Sequence, residues 1–239
     1  MKILLIGHGK MGALIESTAS AAGDEIVAVF DHSNLAGLGA TGAVADVVID
    51  FSRPETLGAV CEYVRRTGTP LLSGTTGYTE SQKRELFALG SSVPVLWSAN
   101  FSLGIAVFYR LLSQISDTLK PNFDIEITET HHNQKADAPS GTARLLLAAI
   151  DPEHRLTPVY GREGNCGKRD PKEIGIHALR GGTVAGTHTV HFFGPDEELE
   201  ITHRAASRQI FVNGALHIAR MLPGKPAGVY NLQEILFGE

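Results

Sequence analysis

Cysteine is scarce in this sequence, with only Cys61 and Cys166 among 239 residues. That is too few for a disulfide-stapled secreted scaffold and suits a reducing compartment. No secretory leader is expected, because the apolar start over residues 1–6 carries one lysine and stops at Gly7, short of a signal peptide's hydrophobic region. No apolar run approaches the roughly 20 residues of a membrane span. Basic blocks are missing too. Lys and Arg total 21 against 26 Asp and Glu, which excludes a broad nucleic-acid or anionic-membrane surface and leaves anionic ligands dependent on local cations. There is no internal repeat, and the 26 glycines and 11 prolines are scattered, so fibrous and disordered readings fall away. A globular, cytoplasmic chain is expected, 43% hydrophobic and able to bury a sizeable core in one or two domains.

What is present is an alternation. Residues 2–6, 25–30, 46–50, 70–73 and 93–97 are short apolar or β-branched runs, mostly separated by segments of helical period. This predicts a βαβ series and a doubly wound parallel sheet of Rossmann type. Near-continuous apolar stretches such as 3–6 and 47–49 suit strands buried on both faces. Residues 102–119 predict a long helix stopped by Pro121, followed by a strand at 124–130. After that, 173–179, 187–193 and 198–205 alternate without helices between them, and Gly194-Pro195-Asp196-Glu197 has hairpin chemistry. A smaller α+β domain with a mixed or antiparallel sheet is expected there. A last helix is expected over about 208–221, and periodicity leaves open which domain the tail joins.

Gly7-His8-Gly9-Lys10-Met11-Gly12 follows the first strand and opens a helix, and Asp31 ends the second strand, 19 residues after Gly12. A lone GxGxxG only turns the chain; with strand, helix and acid in register it reads as a dinucleotide site. Gly7 makes the turn, Gly9 admits a pyrophosphate, Gly12 permits close helix packing, and Asp31 accepts the ribose hydroxyls. Three other segments lie at strand carboxyl ends, where open α/β sheets bind ligands: Asp50-Phe51-Ser52, Gly74-Thr75-Thr76-Gly77 and Ser98-Ala99-Asn100-Phe101. Each also reads as ordinary loop chemistry.

The densest polar stretch spans residues 126–143. His131, His132 and Lys135 bring two imidazoles and an ammonium together, and Ser140-Gly141-Thr142 opens the next predicted helix, so an anionic substrate would find both cations and N–H donors. The bland alternatives are a solvated loop, a surface lysine and a plain helix cap. No metal is expected, because neighbouring strand residues point to opposite faces and no H-E-x-x-H pattern occurs.

The stretch holding Glu126, Ile127, Glu129, His131, Lys135, Asp137 and Pro139-Ser140-Gly141-Thr142-Ala143 resembles the signature of 4-hydroxy-tetrahydrodipicolinate reductases. The likeness extends through Gly74-Thr75-Thr76-Gly77, Ser98 to Ser102, Arg180 to Thr183, Gly186-Thr187-His188 and Phe211 to Ala215. It implies a dinucleotide-binding domain over 1–100, completed by 214–239, hinged to a substrate and tetramerisation domain over 101–213. It further implies His131 as catalytic acid/base, Lys135 as proton donor or carboxylate contact, and His132, Ser140, Gly141 and Thr142 as substrate ligands. Gly74, Thr75, Thr76, Ser98, Ala99, Asn100 and Phe101 would line the nicotinamide site. The substrate would be a cyclic dicarboxylate, with Arg180 as a further cation, and the assembly a homotetramer. One departure bears on the cofactor: many members have a longer phosphate turn and an arginine after the second-strand acid, where this chain has GxGxxG and His32. NADH and NADPH are both expected to serve, NADH at least as well.

Other oxidoreductases compete with this reading. A phosphorylating semialdehyde dehydrogenase needs a cysteine nucleophile, which neither Cys61 nor Cys166 is placed to be. A sugar dehydrogenase, or an NAD-binding redox sensor without need of the His131 cluster, remains the alternative.

Overall fold

The computed structural model describes residues 1–238, and within them the chain forms two sheets, each with its own core. One compact unit comprises Met1–Ser102 and the segment from Gln209 onward; the other is Leu103–Arg208.

In the first unit the strands are β1 (Lys2–Ile6), β2 (Glu25–Phe30), β3 (Val47–Asp50), β4 (Leu71–Ser73) and β5 (Pro94–Trp97). Helices α1 (Lys10–Ala21), α2 (Leu57–Thr67) and α3 (Glu80–Ala88) connect them. Every pairing is parallel, in the order β5-β4-β3-β1-β2. Strand β1 is central, which is why Ile3, Leu4, Leu5 and Ile6 are all fully buried and read as one apolar run. Each such side chain contributes roughly 1.5–3 kcal/mol by leaving water. Gly68 ends α2 in the left-handed conformation, φ +70°, and Thr79 and Gln82 form a capping box at the start of α3. The chain winds one way from β1 to β2 and the other way from β3 to β5. The crevice at the carboxyl ends of β1 and β3 is therefore the topological switch point, where folds of this kind bind ligands.

The second unit holds α4 (Leu103–Leu119), β6 (Asp124–His131), α5 (Gly141–Ile150), β7 (Thr157–Val159), β8 (Glu173–Arg180), β9 (Gly186–Gly194) and β10 (Glu197–Ala205). Its sheet runs β10-β9-β6-β8-β7; β9 pairs antiparallel with β6 and β10, while β7, β8 and β6 run parallel. The expected mixed sheet is thus present, with the Pro195-Asp196 hairpin between β9 and β10. Ile105, Phe108 and Leu112 of α4 and Leu146 and Ile150 of α5 share a core with Ile125, Ile127, Ile174, Val190 and Phe192. Alternation along β6 is strict, and the buried positions are Ile125, Ile127, Glu129 and His131. Two ionisable side chains therefore continue an apolar stripe.

After the second unit the chain returns as α6 (Gln209–Ala219), β11 (Gly228–Tyr230) and α7 (Leu232–Phe237). Strand β11 pairs parallel with β5 and becomes the edge of the first sheet. Periodicity leaves this tail open and shows neither β7 nor β11, since three residues are too few to display a period. The remaining boundaries differ from expectation by one or two residues, the scale on which element ends fray. Among the described residues no helix is long and apolar enough to cross a membrane.

Candidate active site

At the switch point the glycines are required by contact. Gly7 adopts φ +92°, and a Cβ there would lie 2.3 Å from the Phe51 carbonyl oxygen. A Cβ on Gly12 would lie 2.0 Å from the carbonyl oxygen of Gly7, so α1 can approach the turn only as glycine. A Cβ on Gly9 would meet nothing within 4 Å, and no side chain caps α1. Lys10 and Met11 form its first turn. The His8 ring is 2.7 Å from Glu16, on the exposed side. Asp31 follows β2; its Oδ1 accepts hydrogen bonds from the Ser33 hydroxyl and backbone N–H, which hold its carboxyl below the usual range. A turn kept narrow by its glycines, a helix start open to an anion and a carboxylate after the next strand fit a dinucleotide.

The neighbouring loops are tied to Asp50, a fully buried carboxylate at the end of β3. It accepts from the Ser52 hydroxyl, from Ser73 Oγ at 2.9 Å, and from Thr75 Oγ1 and the Tyr78 hydroxyl at 3.0 Å each. Burial pushes its carboxyl up, against the pull of these donors. Thr75 thus turns its side chain inward, and its carbonyl accepts from Trp97 Nε1. A Cβ on Gly74 would overlap the Phe51 ring, and Phe101 is buried against that same ring at 5.6 Å. Ser98 and Asn100 brace each other's loop through the Ser98 hydroxyl. Thr76 is exposed. At Thr75 and Phe101 any ligand would meet backbone, because the side chains face the core.

In the second unit, strand register assembles a cluster. Glu129 lies opposite His188 of β9, and His131 lies opposite Arg180 of β8. Glu129 Oε2 is 2.5 Å from His131 Nδ1. Its two oxygens also accept from Arg180 Nη1 and Nη2, each at 2.8 Å, and Oε1 accepts from the Ser140 backbone N–H at 3.0 Å. Burial opposes ionisation of Glu129, yet Arg180, His131 and Ser140 together hold its carboxyl below the ordinary value. The Ser140 hydroxyl caps α5 by accepting from Ala143 N–H and lies 2.9 Å from His188 Nε2. The His188 ring stands edge-on to His131, centroids 5.1 Å apart, and burial, followed by the positive charge of His131, pushes it down to about 4. Lys135 pairs with Asp137 in the loop; His132 and Thr142 are half-buried and Gly141 is exposed.

The unit therefore gathers His131, Lys135, Ser140 and the start of α5 near one another in the fold, and adds Glu129 and His188, to which the sequence assigns no role. Glu129 could have been found: it lies two residues before His131 on a strand of period two, and so shares its face. The expectation for Arg180 is corrected. Its guanidinium is spent on Glu129 and on the carbonyls of Lys135, Asp137 and Leu179, leaving little for a substrate carboxylate.

A parallel switch-point sheet with a glycine turn, joined in one chain to a sheet carrying a buried histidine cluster, defines a Rossmann-type oxidoreductase. The chain belongs to the dihydrodipicolinate reductase family: models described as the N-terminus and C-terminus of that enzyme match residues 1–101 and 104–236. Members of this family are pyridine-nucleotide-dependent reductases. The chain is 40% identical over 238 residues to the 4-hydroxy-tetrahydrodipicolinate reductase of an Exiguobacterium species, covering 98% of this chain and 95% of that one. It is 43% identical to the enzyme of the same name from Clostridium tetani, covering 99% and 97%. Among solved structures, dipicolinate-bound dihydrodipicolinate reductase from Paenisporosarcina sp. TG-14 superposes with a TM-score of 0.81 at 22% identity, over 99% of each chain. The scyllo-inositol dehydrogenase of Lactobacillus casei shares the fold more distantly, TM-score 0.58 at 12% identity, over 96% and 91%.

Proposed function

We propose that this chain reduces 4-hydroxy-tetrahydrodipicolinate to tetrahydrodipicolinate with NADH or NADPH, on the route to diaminopimelate and lysine. The observation that carries this reading is the segment from β6 to α5, where a buried imidazole, a lysine and a helix start occur together in a chain about 40% identical to reductases of that name.

In this reading Gly7, His8, Gly9, Lys10, Met11, Gly12 and Asp31 hold the dinucleotide, and Gly74, Thr75, Thr76, Ser98, Ala99, Asn100 and Phe101 surround its nicotinamide. Loss of water from the 4-hydroxy ring gives the conjugated imine, and the reduced nicotinamide, when bound, would supply the hydride that saturates its C4. His131 delivers a proton to the adjacent carbon; imidazole suits this task because its reference pKa of about 6.5 lies near working pH. Lys135 and the N–H groups at Gly141 and Thr142 hold a ring carboxylate, with His132 and Ser140 completing the contacts. Asp31 favours the unphosphorylated ribose, so NADH serves at least as well as NADPH. The enzyme acts in the cytoplasm as a homotetramer and needs no metal.

The test is oxidation of NADH and NADPH in the presence of enzymatically generated 4-hydroxy-tetrahydrodipicolinate. Turnover with both cofactors is expected, and absence of turnover with either one present in excess overturns the assignment.

A further inference from the structure

We infer that Glu129 is a positioning residue for the proposed reduction: it holds His131 in the tautomer protonated on Nδ1, leaving Nε2 as the nitrogen that exchanges a proton with substrate. The functional importance of this arrangement rests on the reading above; the arrangement itself rests on geometry within one unit.

An ionised carboxylate offers only acceptors, so at 2.5 Å from Glu129 Oε2 the His131 Nδ1 must carry the hydrogen. The carboxylate cannot drift with the ring. Ser140 holds it through a backbone N–H, and Arg180 holds it through two parallel bonds while its remaining donors are fixed on the backbone carbonyls of Lys135, Asp137 and Leu179. A buried carboxylate is tolerable only when paired in this way, and the forked geometry adds direction to charge.

The other side of the ring is kept clear. A Cβ on Gly186 would lie 3.1 Å from His131 Nε2, so glycine at this position leaves room beside the reacting nitrogen. His188, edge-on to His131, stays neutral near pH 7 because burial disfavours its charged form, and therefore sets no second cation against an imidazolium at His131.

The informative substitution is Glu129→Gln. Arg180 and the Ser140 N–H can only donate, and two of these bonds converge on Oε1, so the glutamine carbonyl settles there. Its amide group then faces His131 Nδ1, which must become an acceptor, and the hydrogen moves to Nε2. A ring in that tautomer can be charged only by protonation at Nδ1, where it faces the glutamine amide N–H, so the imidazolium that delivers a proton from Nε2 is disfavoured; losses of this sort cost roughly 10²–10⁴ in kcat. KM for the hydroxy-dicarboxylate should change less than about threefold, since Glu129 holds the ring and not the ligand.

The decisive measurement is the imidazole ¹⁵N spectrum at a pH where histidines are neutral, with the His131 signals identified by their loss in His131→Gln. Wild type is expected to show His131 protonated on Nδ1, and Glu129→Gln to show it on Nε2 with the fall in kcat. A purely structural role would lower thermal stability while leaving tautomer and kcat unmoved, and that result overturns the inference. Should Glu129→Gln fail to fold, the wild-type spectrum decides alone: hydrogen on Nε2 overturns it. Wild type that shows the Nδ1 tautomer but does not turn over the substrate would sink the proposed function and leave the positioning geometry standing.

Discussion

Lys135 Nζ lies 2.8 Å from Asp137 Oδ1, an ion pair closed across one intervening residue of the loop between β6 and α5. Asp137 is more than half exposed, and its bond to Lys135 holds its carboxyl below the usual range. Exposed pairs of this kind are worth about 0–1 kcal/mol, so a substrate carboxylate can displace Asp137 at little cost. Lys135→Ala is therefore expected to raise KM and lower kcat together, because the contact both binds and aligns the ring. Steady-state kinetics indistinguishable from wild type would reduce Lys135 to a surface ion pair.

His131→Gln should lower kcat by roughly 10²–10⁴, the usual worth of general acid–base catalysis, with NADH affinity unchanged. Calorimetric titration of NADH beside the kinetics separates the two effects. An unaltered kcat removes His131 from proton transfer.

Cofactor choice depends on Asp31. Ser33 occupies only Oδ1, so Oδ2 can face the ribose hydroxyls, where the 2′-phosphate of NADPH would meet like charge. Lys10 and His32 offset part of that repulsion, which is why dual use is expected instead of exclusion. In Asp31→Ala, the kcat/KM ratio should shift toward NADPH. A ratio that stays put would mean that Asp31 does not reach the ribose.

The second and third glycines of the motif should respond differently to alanine. At Gly9 a methyl group meets nothing within 4 Å, whereas at Gly12 it would lie 2.0 Å from a backbone carbonyl oxygen. Gly12→Ala is expected to destabilise by about 1–3 kcal/mol or more through overpacking. Gly9→Ala should keep its thermal midpoint and instead raise KM for NADH by about tenfold, through crowding of the pyrophosphate. Thermal melts and cofactor KM for both variants check this; an unaltered KM in Gly9→Ala would argue against the phosphate position.

Acid stability should trace to Glu126, on the opposite face of β6. Burial would raise its carboxyl, but Arg162, His177 and Arg169 outweigh that and bring it down to about 2 from 4.5. A carboxyl depressed on folding stabilises above its unfolded pKa and loses that contribution as pH falls toward the folded value. The support from Glu126, at most roughly 3 kcal/mol, is thus lost between pH 4.5 and 2. The urea midpoint of wild type should exceed that of Glu126→Gln at neutral pH, with the gap closing over this window. A gap independent of pH would assign the effect to shape alone.

Much of this was legible in the residues themselves. Fully buried strands such as β1 and β3 read as apolar runs because both their faces are covered, and the glycine turn is recognisable since its positions answer to fixed steric demands. Strands β7 and β11 were not legible: three residues have no period, and their state comes from pairing with β8 and β5. The same holds for the cluster around His131. Arg180 and His188 meet Glu129 only through the register of β8, β6 and β9, which no local pattern announces, and so from the sequence Arg180 reads as a substrate cation although its charge is consumed within the protein.

The pairing of β11 with β5 carries a consequence for synthesis. The whole of Leu103–Arg208 lies between those strands in the chain, so during translation the second unit leaves the ribosome before the first sheet has its last strand. Until then the edge of β5 presents unpaired backbone N–H and C=O groups beside apolar side chains, a template for pairing with other chains. A polypeptide broken off anywhere before Gly228 keeps that edge bare. The final strand thus works as a completion mark, and aggregation should distinguish prematurely terminated chains from those translated through Tyr230.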